Sequence, residues 1–192
     1  MRQIKNRAIR IIFLLFFVTP IVAWFLVKPV RVIAPEIMDI KCFDGGVCLD
    51  NVGNYEVAKK LRLEAIEYLN EKVGSFKVAP KVIFCSTSEC SGKFGLGKRS
   101  AVTFATYGSV IGPRAWKPYY VRHELIHQLQ GQELGVLKCL FLPAWLVEGM
   151  AYSLSQDPRV TLNEPWEGYR TQFAKWLASI ANSSMWIEAA KV

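Results

Sequence analysis

Two histidines are all that this 192-residue chain has, and they stand four residues apart in His123-Glu124-Leu125-Ile126-His127. On an α-helix that spacing stacks both imidazoles on one face, one turn apart. Glu124 follows His123 directly and leans toward the same side, so a carboxylate lies beside two neutral nitrogen ligands. Glu148, twenty-one positions beyond His127, offers a second carboxylate early in another helical stretch. Two histidines and one glutamate, with a fourth position left open for water, make a catalytic zinc set. Glu124 is then placed to deprotonate water made acidic by the metal, which is the chemistry of metal-assisted hydrolysis.

His-Glu-x-x-His followed by Trp145-x-x-Glu148-Gly149-x-Ala151 resembles the gluzincin clan of zinc metallopeptidases, in particular its aminopeptidase N-like and peptidase MA-like members. The similarity covers residues 118–153, and Gln128 and Gly131 fit the way that family continues its first zinc helix. The resemblance implies His123, His127 and Glu148 as metal ligands, Zn2+ as cofactor, Glu124 as general base and a peptide or protein substrate. It implies an α+β fold, with a small mixed sheet whose edge strand lies over two zinc-ligand helices. The Gly-x-Met-x-Asn segment that binds a substrate amino terminus in the aminopeptidases is absent here, so aminopeptidase specificity is not implied. Family members stabilise the oxyanion with a tyrosine or histidine; with no histidine left, Tyr169, Tyr152 and Tyr107 are the candidates. Two other readings remain at this stage. One is a zinc-bearing but non-proteolytic binding or assembly module of the cell envelope, against which the intact Glu124 argues; the other is an accidental motif.

The elements that must position these residues are partly legible. Residues 55–73 predict an amphipathic helix, with Val57, Leu61, Ala65, Ile66, Tyr68 and Leu69 on its apolar face, Asn54 as N-cap and Gly74 as stop. Residues 78–85 read as a short strand, and 92–98 as a glycine-rich rim loop without the Gly-Lys-Ser/Thr of a phosphate-binding loop. Residues 101–111 read as one strand, placed where an edge strand could bind an extended peptide by β-addition. The first zinc helix is predicted from about Lys117, with Pro118 in its first turn, and the second over 144–156. The apolar stretch 136–147 between them reads as a wall of the cleft or a segment dipping into lipid headgroups. A last helix is expected over 166–181, bearing Phe173, Trp176 and Leu177.

The amino-terminal region reads differently. Ile11 to Val27 carries no charge, and Arg2, Lys5, Arg7 and Arg10 precede it. The run predicts an uncleaved transmembrane anchor over 11–27, with 1–10 cytoplasmic, 28–40 a tether, and 41–192 an extracytoplasmic domain. A cleaved signal peptide is the rival, disfavoured by bulky residues at the far end of the run. Six basic groups flank the anchor; residues 32–192 hold 18 basic and 16 acidic groups, so the +8 of the whole chain becomes +2 there. That balance predicts a membrane partner and no nucleic acid. Cys42 and Cys48 bracket a turn-forming Asp-Gly-Gly, and Cys85 and Cys90 bracket four polar residues, so an oxidising compartment predicts two local disulfides. Spacing alone leaves the connectivity open. Cys139, left over in an apolar run, reads as a buried inert thiol.

Overall fold

The computed structural model describes residues 7, 10–180 and 184–192. Its centre is a five-stranded mixed sheet in the order β1-β2-β3-β5-β4. The strands are β1 (Lys41–Phe43), β2 (Val47–Leu49), β3 (Val82–Phe84), β4 (Ala101–Phe104) and β5 (Gly108–Ile111). Parallel pairs join β2 to β3 and β3 to β5, while β1 and β4 close the two edges antiparallel. The period-two alternation of strands separates two apolar layers. Leu49, Phe84 and Ile111 face one core with the long helices, and Cys48, Ile83 and Val110 face a second, smaller core.

Helices α1 (Thr19–Leu26), α2 (Tyr55–Lys72), α3 (Ser88–Lys93), α4 (Pro118–Leu134), α5 (Val136–Cys139), α6 (Ala144–Leu154), α7 (Trp166–Ser179) and α8 (Met185–Ala189) complete the described architecture. It is the expected α+β arrangement of a small sheet and helices. Helix α2 buries Ala58, Arg62, Ala65 and Leu69 rather than Val57, which is 55% exposed. Leu61, Ile66 and Tyr68 pack against the core as expected, and Arg62 joins the buried face because its Nε donates to the Pro80 carbonyl at 2.9 Å.

The single strand expected over 101–111 is a hairpin. Its turn, 105–107, places Ala105 at φ +49°. Alanine rarely adopts that conformation, so no turn signal stands at that position. One consequence is functional: β4, and not the whole segment, forms the sheet edge.

The transmembrane anchor expected over 11–27, and with it the single-pass topology, is overturned. No helix among the described residues is long and apolar enough to cross a membrane. The described helical run, residues 10–26, passes from α to π geometry over Leu14–Val18 and back to α over α1, and at about 1.5 Å per residue it reaches about 25 Å against a hydrocarbon core of about 30 Å. The ladder changes register at Thr19-Pro20, where proline brings no amide hydrogen and the Thr19 backbone N–H and hydroxyl both donate to the Leu14 carbonyl, the hydroxyl at 2.9 Å. At Val27 the chain leaves the helical region (φ −102°, ψ 84°). Downstream, Arg31 ties this region to the domain by donating to the Trp24 and Lys93 carbonyls, and Val32 and Ile40 are buried in the smaller core.

Both disulfides are present, Cys42–Cys48 across the β1–β2 hairpin and Cys85–Cys90 at the start of α3. Disulfides persist in oxidising surroundings, which is the compartment they indicate. Cys139 is free and half-buried, and burial raises its thiol pKa.

Candidate metal centre

Helix α4 places the first three functional residues. It starts at Pro118, where a missing amide hydrogen removes a donor that would have had no partner in the helix. Val121, Leu125, Ile126 and Leu129 bury its back in the core. The opposite face then carries His123 and His127 toward a cleft of about 820 Å³. Helix α6 buries Leu146 and Met150, one turn apart, and turns Glu148 into the same cleft.

Gly149 explains how α6 comes close enough. A Cβ at this position would lie 2.3 Å from the Tyr169 carbonyl oxygen and 2.8 Å from the Phe173 Cβ, so only glycine lets α6 pack against α7 at this depth. Gly131 does the same on α4, where a Cβ would meet the Thr106 side chain at 2.8 Å.

The three expected ligands converge. His123 Nε2 and His127 Nε2 are 3.2 Å apart, and they lie 3.6 and 3.8 Å from Glu148 Oε2. Ligand atoms about 2.0–2.2 Å from a tetrahedral zinc stand about 3.3–3.6 Å from each other, so the set fits a single ion. Among the described residues this is the group of side chains that could hold one. Burial works to raise the Glu148 pKa, but the two imidazoles outweigh it and keep the carboxylate below its ordinary range. Glu148 is therefore available as an anion.

Gln130, which the sequence reading passed over, sets the state of His127. Its Nε2 donates to the Val147 carbonyl at 2.9 Å, which can only accept, so Oε1 must face the other way. Oε1 lies 2.9 Å from His127 Nδ1, which must then carry the ring proton. The lone pair is left on Nε2, pointing at the cluster, as a metal ligand requires. Since Val147 precedes Glu148, this one buried amide joins both ligand helices. Its signal was present in the sequence: three residues beyond His127 is the same helix face.

Glu124 is buried on the sheet side of the cleft, 6% exposed. Thr103 Oγ1 on β4 lies 2.7 Å from Glu124 Oε2 and 2.8 Å from its backbone carbonyl. Gln128 Nε2 donates to Ser109 Oγ at 2.7 Å, and Ser109 Oγ lies 2.7 Å from Thr103 Oγ1. The chain of donors therefore runs from Gln128 through Ser109 and Thr103 to the carboxylate. Burial raises the Glu124 pKa, and His127 and the Thr103 hydrogen bond oppose the rise. A carboxylate with a raised pKa is a better proton acceptor once ionised. No sequence pattern linked Thr103 to Glu124, because the contact crosses 21 residues and depends on the hairpin.

The tyrosines separate. Tyr152 lines the cleft with its ring 4.4 Å from that of His123, and its hydroxyl pKa is pushed up to about 12, by burial first and by Glu148 second. Tyr107 also lines the cleft and is 53% exposed. Tyr169 packs on Trp166 and on α6 behind the cleft. From the apolar stretch after α4, Val136, Cys139, Leu140 and Val147 form one wall.

The geometry amounts to a His-His-Glu metal-binding arrangement with a buried carboxylate beside it, at the edge of an open strand. Compared with protein-family models, curated proteins and solved structures, the chain finds no match.

Proposed function

We propose that this chain is a zinc-dependent peptidase of the gluzincin kind, hydrolysing peptide bonds in an oxidising compartment. One observation carries the reading: His123, His127 and Glu148 converge at single-ion distances while Glu124, which ligates nothing, is held beside them by Thr103. A site built only to store or bind a metal has no use for that fourth group.

Zinc, when bound, supplies a Lewis acid that lowers the pKa of water to near neutrality and polarises a carbonyl. The protein's own residues do the rest. Glu124 accepts a proton at its carboxylate and returns it to the leaving amine. Thr103 fixes that carboxylate's direction by donating to Oε2. Tyr152, protonated at neutral pH, donates toward the oxygen that gains charge. Strand β4 is the sheet edge and lines the cleft, so its outward backbone groups pair with an extended peptide.

The test is Glu124→Gln, which keeps size and hydrogen bonding but takes no proton. Zinc should stay at one per chain, while cleavage of a mixed peptide pool falls by at least about 10²-fold. Wild-type cleavage by this variant would reject the assignment of Glu124. A wild-type protein that holds zinc but cleaves no peptide would leave a metal-bearing binding module.

A further inference from the structure

The cleft has two chemically different ends, and the contacts between β4 and α4 show which is which. Thr103 meets Glu124, and further along Thr106 meets Gly131, so strand and helix run side by side in the same direction. The start of β4 therefore lies toward Tyr119 and Tyr120. Beyond the other end of the pair lie Val136, Cys139 and Leu140.

Arg159 occupies the tyrosine end. Its Nε contacts both Asp157 carboxylate oxygens, at 2.8 and 3.0 Å, and its Nη2 bonds Asp157 Oδ2. The guanidinium carbon is 5.8 Å from each of the Tyr119, Tyr120 and Tyr152 rings. Arg170 grips the same loop through the Arg159 and Val160 carbonyls, at 3.0 and 2.8 Å. The fork is thus immobilised before any ligand arrives.

It is not used up. The Asp157 side chain is 2% exposed while that of Arg159 is 41% exposed, so an incoming group meets the guanidinium and not its counter-ion. Among the described residues no hydrogen bond engages Nη1, which leaves donors of this cleft-lining side chain unpaired. Arg99, from the turn before β4, lines the cleft as well.

We propose that Arg159 binds the carboxyl-terminal carboxylate of an extended peptide, making this cleft one that cuts near the carboxyl terminus. Charge selects the direction: a peptide antiparallel to β4 brings its carboxylate to Arg159, whereas a parallel one would bring an ammonium there. Distance sets the cut. Tyr152 touches both: the guanidinium carbon is 5.8 Å from its ring, and the His123 ring is 4.4 Å from the same ring. The clamp is thus within about 10 Å of the ligand cluster, the reach of two or three extended residues at about 3.3–3.6 Å each. The leaving fragment is then no longer than a tripeptide, and the amino-terminal side of the substrate lies along the apolar wall.

This inference rests on the peptidase reading, and the test keeps the two apart. The probes are N-acetylated Ala-Leu-Ala-Phe-Ala as the free acid and as the carboxyl-terminal amide. Binding is measured by calorimetry on full-length, zinc-loaded Glu124→Gln, alone and combined with Arg159→Gln, Arg159→Lys or Arg99→Gln. The acid should bind about tenfold or more tighter than the amide, as a charge-assisted contact gives. Arg159→Gln should erase the difference, and Arg159→Lys should keep part of it. With Glu124 intact, mass spectrometry should find a carboxyl-terminal fragment of no more than three residues released. Equal binding of acid and amide, binding of neither, or a preference lost in Arg99→Gln but kept in Arg159→Gln, would each overturn the clamp. A preference that persists in Arg159→Gln would do so too, since it would place the carboxylate on the metal. Arg159-dependent binding without cleavage would support the clamp and refute the peptidase.

Discussion

Replacing Gln130 by methionine should weaken the metal site without opening a cavity, since the two side chains are similar in length and volume. Gln130 is 2% exposed; besides a weak bond from Nε2 to Met150 Sδ at 3.3 Å, it makes two directed bonds, from His127 Nδ1 into Oε1 and from Nε2 to the Val147 carbonyl, both at 2.9 Å. Methionine removes both. The first loss frees the His127 ring to rotate and to carry its proton on either nitrogen; partners of this kind are worth about 10–100-fold in metal affinity. The second leaves a carbonyl without its partner, and together the two losses should cost the metal-free protein about 1–3 kcal/mol. Zinc affinity is measured by competition against a chromophoric chelator, and stability by urea denaturation in the presence of a chelator. Gln130→Glu separates the roles. Its carboxylate still accepts from His127 Nδ1, so zinc affinity should stay near wild type. It cannot donate to Val147, where two oxygens would face each other at about 2.9 Å, so stability should fall as in the methionine variant. Wild-type zinc affinity in Gln130→Met would refute the reasoning that this amide sets the His127 tautomer.

Two further predictions concern the second ligand helix. Tyr152→Phe should lower kcat by about 10²-fold with little change in KM, since it removes a donor needed only as charge develops; an unchanged kcat on a cleaved peptide would move that role to Tyr107 or elsewhere. Gly149→Ala forces a Cβ to within 2.3 Å of the Tyr169 carbonyl, so α6 must retreat from α7. Denaturation should show a loss of about 1–3 kcal/mol or more, and zinc affinity should drop with it because Glu148 moves too. A fully stable Gly149→Ala with wild-type zinc binding would mean that the close approach is not what fixes Glu148.

The His-His-Glu cluster was legible because its signal is local. Helical spacing alone puts His123 and His127 on one face, and the Trp-x-x-Glu-Gly-x-Ala stretch marks a second helix. The two disulfides were legible for the same reason, each closing a turn that its flanking residues favour. What failed to show was whatever depends on chain breaks or distant contacts. Hydropathy along 11–27 counts apolar residues but not the length of helix they form, and the described helix ends at Leu26 with its ladder shifted to π geometry over Leu14–Val18. Alanine at the turn of the β4–β5 hairpin carries no turn signature, so two strands read as one. Arg62 belongs on a polar face by type, yet the Pro80 carbonyl makes its burial tolerable. Thr103 acquires its role only when the hairpin sets β4 beside α4.

The central claim is that His123, His127 and Glu148 share one zinc ion and leave a position open. Zinc K-edge X-ray absorption on protein loaded with one equivalent addresses it directly. The account predicts two imidazole nitrogens and one or two further oxygens at about 2.0–2.2 Å, with no sulfur. His123→Ala, His127→Ala and Glu148→Ala should each lose that spectrum along with most of the bound metal. Cys139, a free thiol lining the same cleft, gives the contrary result a definite form. A sulfur shell at about 2.3 Å, or an unchanged spectrum in Glu148→Ala, would contradict the assignment.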